Sequence, residues 1–299
     1  ELPPGAIVET FEDGGARRND GVMLTPADQN PWYVLATVAG EQEESSLFGI
    51  DDDLHANNRR FWNGWMSQDM EEGERAALAE KLDLPEEELA PLNAEELAEV
   101  TARFRAAFPE NPPDETIPAP DAIADFQRVH FPCLYVLGKC HFTGLASFRE
   151  AHFAGDADFR EAHFTSDAIF REARFADSAF CQGAHFTGRA DFPKAHFTGP
   201  AYFSKARFQE GANFSDGCFM ARTVFDESEF KGEVPRFFHR EMHQDTGFAD
   251  DPKLWPEVTA DNAKDGKRAY TRLRQVAAEI YDPDLEHFFL RQEMRCKEA

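Results

Sequence analysis

The chain has 299 residues and a mass of 33.8 kDa, which is enough to bury a sizeable core. Its formal net charge of −25 and its lack of a polybasic run argue against binding to nucleic acid or to an anionic membrane surface by charge attraction. Its five cysteines are odd in number and form no CxxC pair, so we expect a cytosolic protein without a disulfide framework.

The first part of the chain, residues 1–120, is acidic and mostly helical by its pattern, with 27 acidic against 8 basic side chains. WYVLATVAG, residues 32–40, predicts a strand, and DDDLHANNRRFWNGWMSQDM predicts a helix that turns its aromatic side chains inward. A helix over EEGERAALAEKL follows, and another begins at Asn93 with Glu96 three residues on, as in a capping box. ENPPDETIPAPD, with four prolines in twelve residues, predicts a linker.

From Phe126 the chain is periodic, as the phrases FREAHFAGDAD and FREAHFTSDAI indicate. Large apolar residues recur at gaps of five or six, and the residue two positions before each is usually small. In an extended segment these two residues point to the same side, so both face inward and the residue between them faces solvent. Glycines at the corners, Gly144, Gly155, Gly188 and Gly199, are expected there for backbone reasons. The large residues are Phe126, Phe131, Val136, Phe142, Phe148, Phe153, Phe159, Phe164, Phe170, Phe175, Phe180, Phe186, Phe192, Phe197, Phe203, Phe208, Phe214, Phe219, Phe225 and Phe230.

These faces predict a square coil of about five turns, with rungs stacked roughly 4.8 Å apart. The stretches AHFTGRADF, AHFTGPAYF and ANFSDGCF resemble the repeats of the pentapeptide-repeat family, whose unit is A-(D/N)-(L/F)-x-x. The resemblance covers about a third of the chain and implies a right-handed quadrilateral parallel β-helix. The chain departs from the family pattern because its centres are almost all Phe and because an extra residue in alternate units gives an 11-residue period. We expect the extra residue to form a bulge at a corner.

After the repeats, FKGEVPRFFHREMHQDTGF is expected to finish the solenoid and cover its open end. GKRAYTRLRQVAAEIY and LEHFFLRQEMRCKE then predict a helical hairpin. The predicted fold class is therefore mainly β, a solenoid with an α-helical N-terminal region and a C-terminal helical hairpin. The predicted domains are residues 1–120, 121–248 and 249–299.

Two sets of repeat residues are candidates for a structural or functional role. The inner ladder that should hold the coil together includes Phe142, Phe148, Phe153, Phe159, Phe164, Phe170, Phe175, Phe186, Phe192 and Phe197. The residues between the inward positions form two surface ladders on opposite faces. One consists of His130, His152, Arg174, His196 and Cys218, and the other of His141, His163, His185, Arg207 and Glu229.

Stacked imidazoles on a surface could share a metal or attract an anion, and a pH-sensitive surface is the better functional interpretation. Repeat duplication of a tolerated surface residue explains the two ladders more simply. The sequence has no nucleophile elbow, phosphate loop or HExxH motif. It therefore predicts no catalytic, cofactor-binding or metal site, and it argues against an enzyme.

The first functional hypothesis is a non-enzymatic scaffold for a protein partner that the sequence does not name, and it leaves the oligomeric state open. The tail AYTRLRQVAAEIYDPDLEHFFLRQEMRCKEA resembles the segment before paired membrane helices in many bacterial pentapeptide-repeat proteins. This resemblance implies the cytosolic portion of a membrane-associated protein, whose chain continues past Ala299 into an apolar run of about 20 residues. Apolar residues expected to need a surface, Phe288, Phe289 and Met294, favour the same interpretation.

The second hypothesis also comes from the family resemblance. Some members are acidic rods that resemble duplex DNA and bind gyrase. Such a mimic needs acidic faces on its solenoid. Residues 121–230 carry 15 acidic against 11 basic side chains, a net charge of only −4, and both surface ladders contain His and Arg. Mimicry is therefore the alternative.

Overall fold

The repeats wind into a parallel β-solenoid of about six turns. The description rests on a computed structural model and covers residues 5–299. Each turn contributes a short strand to each of four sheets, and strands one turn apart pair in parallel and in register, as His130 does with His152. The predicted mainly β solenoid is confirmed. It is about one turn longer than predicted, because pairing continues past Phe230 at Arg236 and Glu241 and then in a last strand.

The N-terminal region contains three strands and five helices: β1 (Ile7–Thr10), β2 (Ala16–Arg18), β3 (Met23–Pro26), α1 (Pro31–Ala36), α2 (Asp52–Met66), α3 (Glu72–Leu82), α4 (Ala94–Ala107) and α5 (Pro113–Thr116). The solenoid strands are β4 (Ala124–Asp125), β5 (Val129–Phe131), β6 (Tyr135–Val136), β7 (His141–Phe142), β8 (Ala146–Ser147), β9 (His152–Phe153), β10 (Ala157–Asp158), β11 (His163–Phe164), β12 (Ala168–Ile169), β13 (Arg174–Phe175), β14 (Ala179–Phe180), β15 (His185–Phe186), β16 (Arg189–Asp191), β17 (His196–Phe197), β18 (Ala201–Tyr202), β19 (Arg207–Phe208), β20 (Gly211–Asn213), β21 (Cys218–Phe219), β22 (Thr223–Phe225), β23 (Glu229–Phe230) and β24 (Thr246–Phe248). Two helices follow, α6 (Ala263–Glu279) and α7 (Pro283–Glu298).

The assignment of inward residues is wrong at two positions. Val136 and Phe180 lie in mid-strand on an outer face, paired in register with Asp158 and Tyr202 respectively, and they are partly exposed. The inward positions are one residue later, at Leu137 and Cys181, which are 1% and 2% exposed. The register between turns decides which way a side chain points, and at the second of these rungs the larger side chain, Phe180, points outward while the smaller Cys181 points inward.

The corners of the coil alternate between a tight and a wide form. Each tight corner contains one residue in the left-handed conformation, such as Glu161 at φ 56° and Lys205 at φ 60°. Each wide corner holds the extra residue between strands that stay in register, so the extra residue widens the corner and does not form a strand bulge. Gly188 and Gly199 lie in wide corners because a Cβ there would come within 2.5 Å of the main chain of the preceding turn.

The segment predicted as a strand at residues 32–40 is instead helix α1. The side chain of Asn30 accepts a hydrogen bond from the Tyr33 N–H at 3.1 Å, and Pro31 occupies the first helical position, which both favour a helix start. Its next five residues are all buried at the first turn of the coil. A short, continuous apolar run has no periodicity that separates a buried strand from a buried helix. The predicted helices α2, α3 and α4 are confirmed, the last with the capping box between Asn93 and Glu96.

Helices α1 and α2 cover the first turn of the solenoid. The ring of Trp62 packs 4.9 Å from that of Phe142, and the ring of Tyr33 packs 5.5 Å from that of Tyr135. The N-terminal region and the solenoid share one hydrophobic core. The Pro-rich segment contains the short helix α5, and the Trp65 indole N–H donates to the carbonyl of Pro118 at 2.9 Å. The domain boundaries stay predictions.

The other end of the coil is closed by Arg240 and the C-terminal helices. Arg240 is 1% exposed, and its Nη2 donates to the main-chain carbonyl of Phe192 at 3.0 Å. The expectation that Phe288 and Phe289 need a surface is wrong, because they are 1% and 0% exposed and pack against Trp255. Met294 is 44% exposed. Among residues 5–299, no helix has the length and apolar character that crossing a bilayer requires.

Candidate functional site

The ten phenylalanines predicted as an inner ladder all lie inside the coil, each 2% exposed or less. The ring of Phe164 stacks 4.6 Å from that of Phe142 in the turn before and 5.0 Å from that of Phe186 in the turn after. These side chains fill the core, so they are unavailable to a ligand. A site on the solenoid must therefore use residues outside this inner ladder.

The predicted surface ladders are only partly at the surface. His130, His141, His152 and His163 are between 2% and 7% exposed, and only His185 and His196 are partly exposed. The prediction of a solvent-facing ladder is therefore wrong for the first turns of both faces. The reason is that the N-terminal region folds back over the coil, which the pattern of the repeats does not encode.

Helix α2 covers the first strand of the face that carries His141. The Trp62 indole N–H donates to the main-chain carbonyl of His141 at 2.8 Å, and the side chain of Asn63 accepts from the His141 N–H at 2.8 Å. The Asn63 amide also donates to the carbonyl of Lys139 at 3.1 Å. Because β7 is the edge strand of its sheet, these bonds satisfy main-chain groups that no further turn could reach.

Helix α3 determines which ring nitrogens of His163 and His141 carry hydrogen. Lys81 Nζ lies 2.8 Å from His163 Nε2, so an ammonium there donates and Nε2 accepts. His163 Nδ1 then carries the ring hydrogen and donates to His141 Nδ1, 3.1 Å away. Burial, His141 and Lys81 all lower the pKa of His163, and burial and Lys81 lower the pKa of His141 to about 4. His141 and His163 are therefore a neutral hydrogen-bonded pair, which suits helix docking and does not suit capture of an anion.

The opposite ladder lies beneath the N-terminal strands. Strand β3 pairs with β5, so β1 to β3 extend this sheet at its edge. Residues 5–10 fold over its outer surface. The rings of His130 and His152 stack 5.1 Å apart, and both imidazoles border a cavity of about 480 Å³. Burial and the neighbouring His130 lower the pKa of His152 to about 3, and burial and Arg174 lower that of His196 to about 4. The imidazoles of this face are therefore neutral near pH 7.

The lower end of this ladder brings a thiol and an imidazole together. Cys218 Sγ lies 3.2 Å from His196 Nδ1. Burial raises the pKa of the Cys218 thiol, so near pH 7 the pair consists of a neutral thiol and a neutral imidazole. A cysteine nucleophile needs a thiolate, which this environment disfavours. The pair is therefore a structural contact, and among residues 5–299 no cluster of His, Cys, Asp and Glu could hold a metal ion.

Several residues that define these faces were not singled out from the sequence. Lys81, Asn63 and Arg18 belong to the N-terminal region. Asn63 contacts His141, which is 78 residues away, and Lys81 contacts His163, which is 82 residues away. Arg18 lowers the pKa of His152 in the opposite ladder. Arg174 was placed in its ladder, where it interrupts a series of histidines. That break in the repeat was the one available signal that this rung differs from the others.

Comparison with known proteins bears on the repeats alone. A family model described as pentapeptide repeats (9 copies) matches residues 137–181 and 182–229. No curated protein and no solved structure matches the chain.

Proposed function

Because the chain is a pentapeptide-repeat protein, we propose that it is a non-enzymatic scaffold that binds a protein partner through an outer face of its solenoid. Proteins with these repeats are generally non-enzymatic scaffolds. The neutral Cys218–His196 pair and the two neutral imidazole ladders fit this role, because none of them is arranged as an acid, base or nucleophile.

The observation that carries the proposal is an aromatic pair on the outer side of the sheet that contains β14 and β18. Phe180 and Tyr202 both point outward and are partly exposed, and their rings stack 5.3 Å apart with an interplanar angle of 14°. Residues 44–47 lie along the corner next to this face, and the Leu47 N–H donates to the side chain of Asp156 at 2.8 Å. Phe48, which comes next, is fully exposed. Aromatic side chains held rigidly on a surface are typical anchors of protein interfaces.

A photo-crosslinking experiment tests this surface. A photoreactive phenylalanine analogue at position 202 should crosslink one defined partner in cells, and the same analogue at position 281 should not, although Tyr281 is 87% exposed. The double variant Phe180→Ser with Tyr202→Ser should lose the partner while its circular dichroism spectrum is unchanged. Equal crosslinking at positions 202 and 281, or a partner retained by the double variant, would contradict the proposed surface.

The alternative, a DNA mimic that acts on gyrase, has a direct test. Purified chain would then inhibit gyrase supercoiling at stoichiometric concentration, and the double variant would not change that inhibition, because mimicry depends on acidic residues. The scaffold proposal expects no inhibition. The outer ladders of two faces contain His and Arg, which supports the scaffold over the mimic.

We propose further that the scaffold works at the cytosolic side of a bacterial membrane. The support is the resemblance of residues 269–299 to the segment before membrane helices, together with exposed Met294 beside Arg295 and Lys297 on the last helix. Fractionation of cells that express the native gene is the test. Native protein recovered wholly in the soluble fraction would remove this part of the proposal and leave the scaffold intact.

A further inference from the structure

Residues 5–10, which include β1, and the face beneath them form a cavity of about 480 Å³. Gly5, Ala6, Ile7 and Thr10 form its roof, and the outward ladder of His130, His152, Arg174 and His196 forms its floor. Roof and floor are in close contact at one point, because a Cβ on Gly5 would fall 1.9 Å from Arg174 Nε. Cavities of this size accommodate small organic molecules.

Arg174 is the lining residue that carries a permanent charge. Its Nε has no hydrogen-bond partner among the described residues. Arg18 does not line the cavity, and it gives one nitrogen to the carboxylate of Asp20. Native proteins rarely bury a cation without a partner, so Arg174 points to a missing group.

The missing group should carry negative charge. Arg18 and Arg174 are close enough for burial and their mutual repulsion to lower the pKa of Arg174 to about 10. The imidazoles of the floor are neutral near pH 7. Asp20 pairs with Arg18, and Glu172, which also acts on Arg174, pairs with Arg171 and Lys194. A bound carboxylate would give Arg174 a counterion of its own.

The rest of the cavity wall is apolar. Ile7 contributes from the roof, and Ala154, Ala176 and Met220 contribute from the floor. Met220 is 53% exposed, so the apolar side of the cavity reaches the surface. A small inorganic anion would leave this wall in contact with water. We propose that the cavity binds an organic monocarboxylate with an apolar chain, whose head group lies against Arg174 and whose chain lies along the apolar wall.

Calorimetric titration of the full chain with sodium octanoate at pH 7.5 tests the proposal. We expect saturable binding with one site. Acetate has the head group without the chain, and 1-octanol has the chain without the charge, so each should bind at least about 10-fold more weakly. Octanoate that does not bind, or acetate or 1-octanol that binds as tightly, would overturn the proposal.

A matched pair of variants assigns the site to this cavity. Arg174→His is the substitution of choice, because histidine occupies the same ladder at positions 130, 152 and 196 and the fold already accepts it. It should weaken octanoate binding about 10-fold or more and leave thermal stability unchanged or raised. Arg207→Gln removes a guanidinium from the opposite ladder and should leave binding unchanged.

Unchanged binding in Arg174→His, or equal weakening in both variants, would overturn the assignment. The cavity and the Phe180–Tyr202 pair lie on different faces. The double variant of that pair should therefore still bind octanoate, and the two proposals fail independently.

Discussion

The Nδ1 atoms of His141 and His163 face each other at 3.1 Å in the interior between solenoid and helix α3. His163 Nδ1 donates and His141 Nδ1 accepts, so His141 cannot take up a proton at Nδ1 without loss of this bond. His163 has only Nε2 left to protonate, and that nitrogen faces the Lys81 ammonium at 2.8 Å. The docking of helix α3 therefore depends on neutral histidines.

Stability should fall in mild acid. The pKa of His141 is lowered from 6.5 to about 4, and that of His163 is lower still, with burial, His141, Lys81 and His185 as causes. Below pH 6.5 the unfolded chain takes up protons that the folded chain refuses. The stability that these neutral rings contribute is thus fully present above pH 6.5. The free energy of unfolding falls as the pH is lowered toward 4, by about 1.4 kcal/mol per pH unit for each imidazole. Urea denaturation at several pH values measures this slope.

A single variant isolates the contribution of one ring. His163→Gln should reduce the slope between pH 6.5 and 5 by about 1.4 kcal/mol per pH unit, whatever its effect at pH 7.5. His239→Gln is the control, because the side chain of His239 is 83% exposed. A slope that His163→Gln leaves unchanged would show that this ring titrates freely in the folded protein.

Asn63 should protect the first strand of its sheet. Asn63→Ala removes the acceptor for the His141 N–H and the donor to the Lys139 carbonyl, and each buried group left unpaired costs about 1–3 kcal/mol. Hydrogen exchange at the His141 amide should become faster. The His163 amide, which donates to the carbonyl of Cys140 in the turn above, should keep its protection. Equal changes at both amides would mean that Asn63 acts on overall stability alone.

The inner and outer aromatic residues should differ in what they contribute to stability. Phe164→Ala leaves a cavity in the stack and should lower the free energy of unfolding by about 3–5 kcal/mol. Phe180→Ala removes a ring of the same size that is partly exposed and should cost clearly less. Chemical denaturation of the two variants decides the matter. Similar losses would contradict the outward orientation of Phe180.

The tight corners should accept glycine. Lys205 has φ 60°, which costs a residue with a Cβ about 1–2 kcal/mol, whereas glycine costs about 0.5–1 kcal/mol in chain entropy. Its nearest acidic partner, Glu227, is 3.8 Å away and exposed, so the ion pair contributes little. Lys205→Gly should therefore raise the melting temperature slightly, and Lys205→Val should lower it. Gly183, one turn earlier, shows that the corner accommodates glycine. A lower melting temperature for both variants would argue against strain at this corner.

The repeat itself could be predicted from the sequence, because each rung buries the same kind of side chain at the same spacing. The period predicted four faces, the inward phenylalanines and the two opposite ladders. It failed at Phe180 and Val136, where an adjacent residue of different size holds the inward position. It also failed at residues 32–40, where burial on all sides removes the periodicity that separates helix from strand.

The cover over the histidines could not be predicted, because it depends on contacts between distant parts of the chain. Nothing in the repeat indicates that Trp62 and Asn63 reach His141, or that residues 5–10 fold over His152. The ladders could be located from their spacing, but their burial and protonation are set by the N-terminal region. For the same reason the cavity beside Arg174 has no sequence pattern of its own.

Two long-range hydrogen bonds determine the order in which parts of the chain can fold during synthesis. One joins Trp62 to His141, 79 residues away, and the other joins Leu47 to Asp156, 109 residues away. A ribosome delivers the N-terminal region first, before the turns that it will cover exist. Its aromatic residues and its capping side chains stay exposed to solvent until the first two turns have emerged. Once those turns have formed, later turns can be added one at a time to a coil whose first end is already closed.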